Sequence, residues 1–257
     1  KGGRRVILAV ANQKGGVGKT TTTAALAVNL ANMGRRVLVV DADPQANLTS
    51  AMGLSEEQAA NRPNLFTLVE EVDDPANAPV EAASGVWLIP STPGLGHADL
   101  HNKVDRERIL KRILRPLRDR FDVIFIDSPP SLGLLTLNAL ATCDTVIVPT
   151  QTEGFSVQGL TQLMETMGQL RKYEVNPNCD IGGVILTMYD QRRNLDKEVS
   201  DLIREVLGRL VLEPTVPRDV RIAEYGKTGD PSLLLGDSKG ALAYKALAQE
   251  VSNRWLA

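Results

Sequence analysis

Residues 5–12, RVILAVAN, lead through Gln13 into KGGVGKT and then into TTTAALAVNLANMG. A short β-branched strand, a glycine-rich loop and a helix in that order constrain the fold more than any other feature of the chain. A loop of this kind presents successive backbone N–H groups, and the start of the following helix adds partial positive charge, so the unit suits a phosphate. Gly15, Gly16 and Gly18 permit the close backbone approach such a cradle needs. Lys19 is placed to reach the β- and γ-phosphates of a nucleotide, and the Thr20 hydroxyl to bind Mg²⁺. One lysine suffices for that task. Lys14, beside the glycines, is a second.

The same alternation continues. Strands are expected within 36–43 (RVLVVDAD), 86–91 (VWLIPS), 121–130 (FDVIFIDSPP), 144–150 (DTVIVPT) and 180–190 (DIGGVILTMYD). Gly34 is the expected stop of the first helix. A helix is expected over 105–118, with Ile109, Ile113, Leu114 and Leu117 on one face. Val/Ile-rich runs alternating with helices predict an α/β fold, a single domain over 1–257 with a mostly parallel twisted sheet and helices on both faces. Residues 55–85, rich in Glu, Ala, Asn and Pro, form the candidate irregular or mobile insertion. Acids close two strands, Asp41 and Asp43 in VLVVDAD and Asp127 in VIFID, and strand ends on one side of a sheet share one crevice.

Composition narrows the function classes. The net charge of −2 at 257 residues gives no whole-protein field attractive to nucleic acid, so DNA binding would need a local patch. The two cysteines, Cys143 and Cys179, lie far apart in sequence, which speaks against a disulfide framework or a closely spaced metal site and fits a reducing cytoplasm. His97 and His101 have the spacing of a metal pair but lack a third ligand nearby. Neither a membrane span nor a signal peptide is evident in the sequence.

KGGVGKTT, VLVVDADPQANLTS and FDVIFIDSPPSLGLLTLNAL together resemble the deviant-Walker partition ATPases of the ParA/Soj type. The resemblance extends through GFSVQGLTQLMETM, ILTMYDQRRNL, VPRDVRIAE and SKGALAYKALAQEV, nearly the whole chain, and is to the short type without an N-terminal helix-turn-helix extension. It implies a P-loop NTPase fold, ATP and Mg²⁺ as ligands, and a nucleotide-sandwiched homodimer that binds double-stranded DNA non-specifically. It implies hydrolysis that is weak alone and stimulated by a ParB-like partner, in a cytoplasmic, nucleoid-associated setting. Lys14 matches the lysine that crosses the dimer to the other subunit's phosphates, the logic of an arginine finger.

By the same resemblance Asp43 helps position the attacking water and Asp127 supports the metal, so the metal set is Thr20, Asp43 and Asp127. The nucleotide set is Gly15, Gly16, Val17, Gly18, Lys19, Thr20 and Thr21, with Met188, Pro217 and Asp219 at the adenine. Arg192, Arg193, Arg218 and Arg221 are the DNA candidates, although residues 190–221 hold seven basic and seven acidic side chains. Residues 103–120 are more lopsided, with eight basic against three acidic, which a solvated helix face also explains. Three rivals share the loop: a membrane-surface ATPase resembling MinD, an iron–sulfur carrier, and a binding module without turnover. The first needs a basic amphipathic C-terminal anchor, and ALAQEVSNRWLA is a weak one.

Overall fold

The structure, a computed structural model, describes residues 4–152 and 157–257. Its seven strands are β1 (Val6–Val10), β2 (Val37–Asp41), β3 (Val80–Glu81), β4 (Trp87–Ile89), β5 (Val123–Asp127), β6 (Thr145–Gln151) and β7 (Ile181–Thr187). They form one sheet in the order β3-β4-β2-β5-β1-β6-β7. Pairing is parallel throughout except for β3, which runs antiparallel to β4 at the edge. The helices are α1 (Lys19–Asn32), α2 (Asn47–Ala51), α3 (Glu56–Ala60), α4 (Leu65–Val69), α5 (Ile109–Leu114), α6 (Leu134–Thr142), α7 (Val157–Lys172), α8 (Asn194–Leu207), α9 (Val220–Thr228), α10 (Ser232–Leu235) and α11 (Lys239–Trp255).

Strand side chains alternate between two separate cores, as a period of two requires. Ile7, Ala9, Leu38, Val40, Ile124 and Ile126 face one core with buried residues of α4 to α8. Val6, Leu8, Val10, Val37, Val39, Val123 and Phe125 face the other with α1, α2 and α9 to α11. Burial on both faces explains why these strands read as continuous apolar runs. The chain is a single α/β domain, as its pattern predicts.

Three expectations need correction. The helix over 105–118 is shorter: a 3₁₀ turn at Arg106–Arg108 precedes α5, and residues 115–118 continue as turns. Its apolar face survives, since Ile109, Ile113, Leu114 and Leu117 are all buried. Pro116 offers no N–H for a further helical turn, which helps end α5 at Leu114. Residues 55–85 are irregular but anchored. Ser55 and Asn64 form capping boxes on α3 and α4, and Leu65, Leu68 and Val69 enter the core. Finally, the cysteines are neighbours in space. Cys143, which caps the C-terminus of α6 and whose Sγ donates to the Leu140 carbonyl at 3.5 Å, and Cys179, just before β7, are free, buried and close together, and that proximity with burial pushes the Cys143 thiol well up.

The stretch beginning GFS starts at residue 154, and 154–156 lie outside the described residues. Among the described residues no helix is long and apolar enough to cross a membrane. No group of three His, Cys, Asp or Glu side chains there could hold a metal ion, so His97 and His101 gain no third ligand.

Candidate nucleotide site

Strand register brings the candidate residues together. Val10 pairs with Asp127, and Asp127 with Asp41, so the P-loop and both acid-ended strands meet at the carboxyl edge of the sheet. This is where open α/β sheets hold ligands. Gly16 and Gly18 take φ of 73° and 84°, the left-handed region that a side chain rarely adopts. Gly18 is the N-cap of α1 and has no side chain to cap it, and the first turn carries no acid. The helix start therefore keeps its attraction for an anion.

Lys19 is 7 % exposed and donates from Nζ to the Lys14 carbonyl at 3.3 Å. Burial lowers its pKa, while the charges of Asp127 and Asp43 oppose that shift. Thr20 Oγ1 donates to Asp127 Oδ2 at 2.7 Å, and Thr23 Oγ1 to Asp127 Oδ1 at 3.2 Å. Burial, followed by the charge of Asp41, pushes the Asp127 carboxyl up to about 8. Asp41 is raised by burial to about 6 although it accepts from Thr49 N and Oγ1 and from Asp43 N. Asp43 instead holds the next turn, accepting the Gln45 N–H at 3.0 Å. Two buried acids this close disfavour a second negative charge, and a divalent cation would relieve that conflict.

Two cavities adjoin here. One, of about 380 Å³, is lined by the loop glycines, Lys19, Thr20, Thr21, Asp43, Pro130 and the α2 residues Asn47, Ser50 and Ala51. The other, of about 340 Å³, is more apolar and includes Thr187, Met188, Val216, Pro217, Asp219 and Tyr244. Gly18, Thr21 and Met188 line both. A polar cradle leading into an apolar slot matches the chemistry of a nucleotide: phosphates in the first, base in the second. Val17 contributes its carbonyl to Thr187 Oγ1 rather than a wall to either cavity. Lys14 is exposed and lines neither.

Asp219 lines the apolar slot, but its carboxylate is occupied. Oδ1 accepts the Arg221 N–H and Oδ2 the Gly240 N–H, at 2.8 and 2.7 Å, which fastens the start of α9 to the start of α11. A Cβ at Gly240 would sit 2.5 Å from Ile222 Cγ1 and 2.9 Å from Asp219 Cβ. Gly240→Ala is therefore expected to cost about 1–3 kcal/mol and to deform the slot, weakening nucleotide binding. A melting curve and a fluorescent-nucleotide titration measure the two effects.

Sequence reasoning missed the supports of the loop. Asn12 Nδ2 donates to the Pro149 carbonyl and its Oδ1 accepts the Lys14 N–H. Gln151 Nε2 donates to the Gly16 carbonyl, and Thr187 Oγ1 to those of Val17 and Thr150. These residues tie the cradle to β6 and β7. Only the order β1-β6-β7 in the sheet signals the role, and that order is tertiary. Arg192 and Arg193, after β7, and Arg218 and Arg221, at the start of α9, are all exposed, and Arg218 also lines the apolar slot.

Comparison with known proteins decides the family. Residues 5–181 match a family described as an AAA domain. The chromosome partitioning protein ParA of Myxococcus xanthus is 41 % identical over 96 % of this chain and 88 % of its own length. The sporulation initiation inhibitor protein Soj of Bacillus subtilis is 40 % identical over 96 % of this chain and 98 % of its own. The chain belongs to the ParA/Soj family of P-loop NTPases. A solved structure called cobyrinic acid a,c-diamide synthase, from Mycobacterium smegmatis, holds an ATP analogue and magnesium. It is 35 % identical to this ParA/Soj member, covers 98 % of both chains and superposes with a TM-score of 0.83.

Proposed function

We propose that this ParA/Soj member is an ATP hydrolase of DNA partition, acting on a chromosome, plasmid or other cargo from the cytoplasm. One observation carries the reading: Lys19, Thr20 bonded to Asp127, and Asp43 converge on one polar cavity that opens into an apolar slot. The names and nucleotide ligands of the similar proteins support it. Lys19 and the loop amides hold the phosphates of ATP; Met188 and Pro217 flank the adenine, with Asp219 shaping that end of the slot. Thr20 and Asp127 support Mg²⁺ with Asp43 nearby, a donor set that leaves room for water and phosphate oxygens, as Mg²⁺ prefers. When bound, Mg²⁺ neutralises charge on the phosphates. Asp43 orients the attacking water.

Lys14 of one subunit reaches the phosphates held by the other, so that turnover requires an ATP-bound dimer. A ParB-like partner completes the site, and non-specific DNA is the track. Phosphate release measured with ATP and Mg²⁺, with and without DNA, tests the reading; an inert protein under all conditions overturns it.

Arg192, Arg193, Arg218 and Arg221 are proposed as the DNA contacts. Each phosphate neutralised contributes a slope of about −0.9 to log K against log salt. The expected outcome is that Arg192→Ala with Arg221→Ala reduces that slope by about 2 in a DNA-binding titration with ATP. An unchanged slope rules the pair out.

A further inference from the structure

Helix α8 buries Asp196, Ser200 and Ile203 against the domain, but a second stripe on it is bare. Leu195, Leu202 and Val206 are 57 %, 52 % and 71 % exposed, and Val199, between them, is half-buried where its inner side packs against the domain core. The four recur at i, i+4, i+7 and i+11, which at about 100° per residue confines them to one narrow line along the helix. Single exposed leucines need no explanation, whereas an apolar row over three turns marks a contact surface.

The charges beside the row are ordered. One side of it is the helix's own buried face. The other carries Glu198, Asp201 and Glu205, at i, i+3 and i+7, all exposed and without an ion pair among the described residues. Lys197 and Arg204 lie on the far side of that acidic row, and Arg204 is engaged with Glu213 at 2.7 Å. DNA is repelled by such an edge. A second copy paired antiparallel through α8 would set acid against acid.

We propose that α8 docks an amphipathic helix of another protein, whose apolar face covers Leu195, Val199, Leu202 and Val206 and whose basic edge meets Glu198, Asp201 and Glu205. This is helix-on-helix recognition, with anchors at helical spacing and charge setting the orientation. α8 lines neither cavity, so the proposal stands or falls apart from the nucleotide reading.

Three labelled synthetic peptides of about five helical turns test it. The first has a leucine face with a Lys/Arg edge, the second the same face with a Glu edge, and the third is the first in scrambled order. Fluorescence anisotropy is expected to show the first binding the full chain at least about tenfold more tightly than either other, a difference of about 1.4 kcal/mol. Leu202→Ser with Val206→Ser abolishes that preference, and Glu198→Lys with Asp201→Lys and Glu205→Lys transfers it to the acidic-edged peptide. All five side chains are exposed, and a circular-dichroism melt confirms that the variants fold. Equal binding of the scrambled peptide overturns the proposal, as does an unaffected serine variant or a charge reversal that transfers nothing. So does concentration-dependent self-association that the serine variant removes, which would make a second copy the occupant.

Discussion

Asp43→Ala is expected to lower ATP turnover by about 10²–10⁴-fold, the usual contribution of a positioned acid or base, while nucleotide binding persists. Asp43 lies on the wall of the polar cavity just past the end of β2, 7 % exposed. Asp41, the other acid of this segment, is fully buried and held by Thr49 and the Asp43 N–H, so it lacks the freedom to meet a water. Asp43 also has a structural task, because its Oδ1 accepts from Gln45. Asp43→Asn separates the two roles, since the amide oxygen still accepts from Gln45 but carries no charge. If the role is chemical, Asn is as inactive as Ala, and the ATP-bound dimer accumulates on DNA. Normal phosphate release from either variant would falsify the assignment.

Lys19→Ala is expected to remove nucleotide-dependent behaviour altogether. A ligand at a hundredfold its Kd adds about 2.7 kcal/mol to the folded state. At about 2–4 °C per kcal/mol for a chain near this size, ATP with Mg²⁺ raises the melting temperature of the unaltered protein by roughly 5–10 °C. The alanine variant should show no such rise and no turnover. The reason lies in the balance around Lys19. Burial pulls its pKa down, the charges of Asp127 and Asp43 oppose this, and its place on the wall of the polar cavity sets it between those acids and the phosphates the site is proposed to hold. Removing it leaves the carboxyls of Asp127 and Asp43 without that counterion. An ATP-induced rise in melting temperature that survives in Lys19→Ala refutes the phosphate role.

The cysteines show why sequence distance misleads about space. Cys143 and Cys179 are remote along the chain, yet α6 ends beside the turn into β7, because β6 and β7 are neighbours in the sheet. Asp219 teaches a different lesson. Its place at the adenine end is what the resemblance of VPRD implies, but its hydrogen bonds to two helix starts are not legible in the sequence, because one of them lies at Gly240. The basic run 103–120 is also not the free patch its composition suggests. Arg108, Arg112 and Arg118 pair with Asp105, Glu71 and Asp144, acids that belong to three different segments.

What the sequence determined alone was local. The strand–loop–helix order, the glycines with positive φ, the two lysines and the acids at strand ends all follow from short-range rules of backbone conformation and burial. Parallel α/β architecture follows too, because doubly buried strands must be apolar throughout. Tertiary structure decided which distant groups share a neighbourhood: Thr20 with Asp127, Gln151 with the Gly16 carbonyl, and Asp219 with Gly240. It also decided which apolar residues remain uncovered, leaving Leu195, Leu202 and Val206 of α8 in solvent. Helical periodicity specifies an amphipathic helix, but how wide a face the sheet can cover is set by packing.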